Sequence, residues 1–164
     1  MQAAKLIYHP VHFIAMGFGA GLMPVAPGTF GTLIAVPLYL LLSELIWWQY
    51  ALSVLLCLVL GIWVCQRTAT ALGVHDHQSI VWDEVVGYLV TMLAAPKHWV
   101  WILIGFGLFR LFDIIKPWPI RWLDQHVHGG LGIMLDDVAA GLLAALLISL
   151  VQYSAIINGL ITNL

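Results

Sequence analysis

Seven of this chain's eight acidic residues and five of its six Lys/Arg residues lie between or at the ends of long apolar runs, where one end of a helix bundle would collect them. Lys5, Arg67, Asp76, Asp83, Glu84, Arg110, Asp113, Lys116, Arg121, Asp124, Asp136 and Asp137 form that set, and only Glu44 and Lys97 belong to the opposite end. Ionisable groups beside lipid-spanning segments are costly, so a one-sided cluster marks a site before it marks a stability device.

The apolar runs exclude an ordinary soluble fold. Hydrophobic residues make up 62% of the 164 positions and charged residues 9%, against about 25% charged in typical soluble proteins. Nothing is left from which a polar outer face could be built. The eight Trp and five Tyr suit rings held at a membrane interface, and a net charge of −2 gives no basic field for nucleic acid. Cys57 and Cys65, two helical turns apart in one apolar run, read as small buried hydrophobes rather than a disulfide. Met1–Lys5 is polar and the next stretch is broken by His9, Pro10 and His12, so no signal peptide is expected. The length implies one domain over residues 1–164.

The expected fold is an all-α, polytopic membrane helix bundle of about four spans, with its polar loops gathered at the cytoplasmic face. The apolar stretches run from about Leu33 to Trp48, over Ala51–Cys65, Val85–Ala95 and Trp99–Phe112, and over Val138–Ile157, the longest and cleanest. Most fall short of the ~20 residues needed to cross ~30 Å of hydrocarbon, the second and third most of all. If Lys5 is cytoplasmic and the chain crosses at each run, Arg67, Arg110, Lys116 and Arg121 are cytoplasmic too and Lys97 alone is outside, a strong positive-inside asymmetry.

Asp83-Glu84 and Asp136-Asp137 are adjacent carboxylate pairs, each read as opening an apolar helix, with Gly87 and then Ala140-Gly141 one turn on. Small residues at that spacing let helix backbones approach closely, which brings the pairs together. Helix capping explains one such pair; two pairs plus Asp113 on one face favour a cation among them, and oxygen-only ligation suits Mg2+ shared with a substrate phosphate. Arg110, Asp113 and Lys116, three residues apart, form a stripe ended by Pro117 and Pro119. That stripe is either a phosphate clamp beside a metal ligand or a salt-bridged helix end with Lys116 snorkelling.

Gly17–Gly21 and Pro24–Gly31 make a glycine- and proline-rich loop with Thr29 as the expected N-cap of the first run. Its backbone N–H groups could hold an anion, although no Gly-Lys-Ser/Thr follows and a tight entry turn explains the glycines about as well. His75, His77, His126 and His128 border the acidic loops and could supply a proton. Asp124, alone among Trp122, Leu123 and Gln125, reads as a solvated interfacial charge. Neither cysteine has an Arg six residues on, and other common phosphatase signatures are missing, which leaves metal-assisted hydrolysis.

Gly17-Phe-Gly-Ala-Gly-Leu with Pro27-Gly-Thr, Val81-Trp-Asp-Glu, Phe109-Arg-Leu-Phe-Asp-Ile-Ile-Lys-Pro-Trp-Pro-Ile and His128-Gly-Gly-Leu-Gly-Ile-Met-Leu-Asp-Asp closely resemble the bacterial phosphatidylglycerophosphatase A family. The likeness covers about Phe13 to Gly141, and the third and fourth motifs are highly specific. It implies Mg2+-dependent removal of the terminal phosphate from phosphatidylglycerophosphate at the inner membrane, giving phosphatidylglycerol. The resemblance leaves the ligand set open, and the charge pattern supplies the expected site: Asp83, Glu84, Asp113, Asp136 and Asp137 as metal ligands, with Thr29, Arg110 and Lys116 binding phosphate. Asp113 and Lys116 also act in catalysis, and His128 serves as proton donor. A non-enzymatic cation-binding or transport bundle would place acids at mid-span rather than at helix ends. Another headgroup phosphotransfer enzyme would show a nucleotide loop or the spaced Asp signature of headgroup transferases, and neither is present.

Overall fold

The computed structural model of the protein describes residues 2–161 and is all-helical over them. Short helices α1 (Gln2–Leu6) and α2 (Pro10–Ala15) and a 3-10 turn (Gly17–Leu22) lead into α3 (Pro27–Leu42). There follow α4 (Trp47–Leu72), α5 (Trp82–Met92), α6 (Trp99–Ile115), α7 (Ile120–His126) and α8 (Gly129–Ile161).

At the centre stands α5, packed against α3, α4, α6 and, most extensively, α8. All its residues except Glu84 are buried, as expected of a helix that is apolar all round. The run expected as a span over Val85–Ala95 therefore faces protein rather than lipid. Eleven residues rise only about 16 Å at ~1.5 Å each, and the run is apolar because protein, not lipid, surrounds it.

Two helices are long and apolar enough to cross a membrane, Trp47–Leu72 and Gly129–Ser154, each of 26 residues, or about 39 Å. The first run, expected to continue to Trp48, instead ends with α3 at Leu42, and Trp47 and Trp48 open α4 after a short turn. Gly73 ends α4 in the left-handed region (φ 70°), its N–H bonding back to Ala69 O at 2.9 Å, the glycine C-cap that an L side chain resists.

The outer surface is aliphatic. Leu52, Leu55, Leu56 and Val59 on α4, Leu103 and Ile114 on α6, and Leu142, Leu146 and Leu150 on α8 are all exposed, more apolar surface than suits water and a fit to lipid. Cys57 and Cys65 are free, Cys65 buried with its Sγ 3.9 Å from Met134 Sδ. Glu44 and Lys97 share a shallow cavity at the far end, away from the other charges.

Candidate active site

The helix crossing that builds the site is a seam of two glycines. A Cβ on Gly141 would collide with the backbone oxygen of Gly87, and one on Gly87 would lie 2.7 Å from Asp137 O. With nothing between the backbones, α5 and α8 approach closely enough to set their acids side by side. Thr91 Oγ1 donates to Gly87 O of its own helix at 3.0 Å and reaches Gly141 O across the seam at 3.4 Å.

Asp83, Glu84 and Asp137 each place a carboxylate oxygen within 4.8 Å of the others. Asp83 and Glu84 sit in the first turn of α5. Asp136 and Asp137 do not open a helix, as was expected; α8 begins at Gly129, so they lie about two turns inside it. No free N–H groups exist there to be capped, which removes helix capping as the explanation of that pair.

The remaining charges close a cavity of about 300 Å3 around these acids. Arg110 Nη1 lies 2.5 Å from Asp113 Oδ2 and 3.6 Å from Glu84 Oε1. These are charge contacts, because Nε and Nη1 find no aligned acceptor. Lys116, the left-handed C-cap of α6 (φ 45°), places Nζ 2.6 Å from both Asp136 Oδ2 and Asp124 Oδ1. Burial disfavours the Lys116 charge, but Asp136 and Asp124 outweigh it and hold its pKa above the ordinary lysine value. Asp124 is therefore not the solitary charge read from the sequence; it reaches back from α7 to share the ammonium with Asp136.

Two expected contributors fall elsewhere. Thr29 is not an N-cap: Ala26 takes that position in the left-handed region (φ 49°), Pro27 follows at the first helical position, and the Thr29 N–H bonds to Ala26 O at 3.0 Å. Ala26, Pro27 and Gly28 line the cavity and Thr29 does not. At Gly28 a Cβ would displace the Glu84 carboxylate from its place beside Arg110. His128 is exposed, stacked edge-on against His75 with centroids 5.1 Å apart, and is also absent from the lining.

Asp76, which sequence reasoning placed on this face without giving it a role, does line the cavity. Burial raises its pKa; Lys116 lowers it in part and Asp124 raises it again. The signal available in the sequence was only its position between two histidines ahead of Asp83. The residues present fit a hard cation. Asp83 Oδ1, Glu84 Oε2, Asp136 Oδ1 and Asp137 Oδ2 are buried without a hydrogen-bond partner, an arrangement that costs several kcal/mol per charge in roughly this setting unless compensated.

A model of phosphatidylglycerophosphatase A matches residues 13–152, a span that includes every acid of the cavity. The chain belongs to the phosphatidylglycerophosphatase A family. It is 50% identical over 138 residues to phosphatidylglycerophosphatase A of Escherichia coli, covering 84% of this chain and 80% of the relative. The Haemophilus influenzae phosphatidylglycerophosphatase A is 45% identical over 149 residues, 90% of this chain and 91% of the relative. A Bacteroides thetaiotaomicron protein, provisionally named a phosphatidylinositol-3-phosphatase, is 40% identical over 85% of this chain and 92% of its own length. No solved structure matches the chain. As a member of the phosphatidylglycerophosphatase A family the chain is a phosphoric monoester hydrolase.

Proposed function

We propose that the protein hydrolyses the terminal phosphate monoester of phosphatidylglycerophosphate, leaving phosphatidylglycerol, at the cytoplasmic face of a bacterial inner membrane. The observation that carries the reading is the cage of Asp83, Glu84 and Asp137 within 4.8 Å of one another, facing the same cavity as Arg110 and Lys116. Mg2+ bound to those three acids would offset their mutual repulsion and withdraw charge from the phosphoryl group. Asp113 and Asp136 then act through the cations they hold, Arg110 and Lys116, which pair with phosphoryl oxygens as negative charge shifts in the transition state. In the hydrolysis water adds to phosphorus, the bond to the glycerol oxygen breaks, and that oxygen gains a proton. Asp76 lines the cavity and His128 does not, so Asp76 takes the donor role that the sequence assigned to His128. The acyl chains stay in lipid, against the exposed aliphatic faces of α4, α6 and α8.

The substrate assignment is tested by phosphate release from phosphatidylglycerophosphate and from phosphatidylinositol 3-phosphate, measured side by side in the same micelles. The family relationship favours the first by at least about a hundredfold in kcat/KM, the order that a polar headgroup site achieves against a misfitting alcohol. Equal rates, or a preference for the inositol lipid, would move the assignment to the activity named for the Bacteroides relative.

The placement in the membrane is tested separately. With α3 and α6 crossing beside the two long helices, and α5 carrying the chain between the two faces inside them, the cavity is cytoplasmic and the Lys97 end external, following the Lys/Arg asymmetry. Single cysteines at Gln78 and Gln125 should be shielded from impermeant thiol reagents in intact cells, and one at His98 should label. Ready labelling at Gln78 would reverse the orientation.

A further inference from the structure

A second polar site lies apart from the acidic cavity. Between α2 and α4 runs a groove of about 480 Å3 walled by His9, Val11, His12, Trp63, Arg67 and Thr70. It shares no lining residue with the cavity, and no carboxylate lines it. Arg67 is exposed and, unlike Arg110 and Lys116, has no ion-pair partner among the described residues.

The hydrogen bonds fix what the histidines offer. Val11 N donates to His9 Nδ1 at 3.3 Å, so the neutral His9 ring carries its proton on Nε2 and keeps a donor there. The Thr68 hydroxyl donates to Val64 O at 2.8 Å, so it can only accept from His12 Nδ1, also 2.8 Å away. Burial, and then His9, hold the His12 pKa below its usual value, which leaves Arg67 as the permanent charge. The groove thus combines one unpaired guanidinium with an imidazole donor.

Along α4 from Arg67 the same side of the helix presents Trp63, then Leu60 and Val59, then Leu56, all exposed. Over eleven residues, about 17 Å, the surface passes from cation through an interfacial aromatic to aliphatic side chains. We propose that this groove binds the headgroup phosphate of an anionic glycerophospholipid, with an acyl chain lying along the α4 stripe. The guanidinium fork matches phosphate oxygens. The absence of any carboxylate leaves the cationic group of a zwitterionic headgroup without a partner, so charge complementarity selects anionic lipids.

The test is native mass spectrometry of the full-length protein released from neutral detergent after titration with dioctanoyl-phosphatidylglycerol, dioctanoyl-phosphatidylcholine or sn-glycerol 3-phosphate. The wild type should retain one copy of the phosphatidylglycerol probe about tenfold more tightly than the choline probe, the scale of a charge-assisted contact. Arg67→Gln should erase that preference, and His9→Gln should weaken it by a smaller factor. A copy held in the catalytic cavity survives both substitutions, so the copy lost is the groove's. Equal retention of the two lipids by the wild type, unchanged preference in both variants, or displacement of the lipid by glycerol phosphate at equal concentration would each overturn the proposal.

Discussion

Replacing Asp137 by Asn should lower phosphate release by about a hundredfold or more, the range seen when an electrostatic group is removed from an active site, while Asp124→Asn should cost less than about tenfold, roughly 1.4 kcal/mol of barrier. Both are acids at the same end of the bundle, and a simple count of charge treats them alike. Asp137 is 3% exposed, holds an oxygen within 4.8 Å of oxygens of Asp83 and Glu84, and has its Oδ2 buried with no hydrogen-bond partner. Its amide keeps the size but loses the charge that a cation requires. Asp124 instead shares Lys116 with Asp136, each 2.6 Å from Nζ. When Asp124 is neutralised, Asp136 still holds the ammonium over the cavity. Turnover of purified, folded variants decides the matter: near-normal rates for Asp137→Asn beside a dead Asp124→Asn would place the site around Lys116 rather than around the three-acid cage.

The second large effect is expected from the seam rather than from any charged group. Gly141→Val should reduce both stability and turnover, because its Cβ meets the backbone oxygen of Gly87, which cannot swing aside, and Val90 Cβ at 3.1 Å. Overpacking of this kind costs about 1–3 kcal/mol. The helices can relieve it only by separating, and α5 carries Asp83 and Glu84 while α8 carries Asp137. A misplacement of about 1 Å can cost on the order of a hundredfold in rate. Gly107→Ala is the control, since a Cβ there meets nothing within 4 Å; it should leave turnover unchanged and favour the helix by up to about 1 kcal/mol. Thermal unfolding in detergent, read beside turnover, separates the cases. A Gly141→Val protein with wild-type melting and rate would show that the close crossing is not what assembles the cage.

The parts of this arrangement that were legible in the sequence are those with a local signature. Segregation of charge placed Glu44 and Lys97 apart from the rest, and small residues one turn beyond each acid pair announced the contact of Gly87 with Gly141. Burial within protein and burial in lipid select the same residues, so the Val85–Ala95 run could not be told from a lipid-facing span until α5 was seen enclosed by four other helices. The start of α8 was hidden because Gly129-Gly130 reads as a turn, whereas the structure begins a helix there. Ala26 as a left-handed cap has no sequence signal, because alanine avoids that region; Thr29, a standard capping residue, was the natural and mistaken choice. The Lys116–Asp124 pair depends on the backbone turn at Lys116 and the return of α7, which no spacing rule reports. His128 was chosen for its neighbours in sequence, yet it stacks on His75 outside the cavity.

The clustered carboxylates are expected to work with a divalent cation. Phosphate release from phosphatidylglycerophosphate by the purified protein, stripped of metal and then titrated with Mg2+, tests that expectation most directly. Turnover should vanish in excess EDTA and return to the original rate as Mg2+ is restored. Full turnover with the chelator in excess would contradict it.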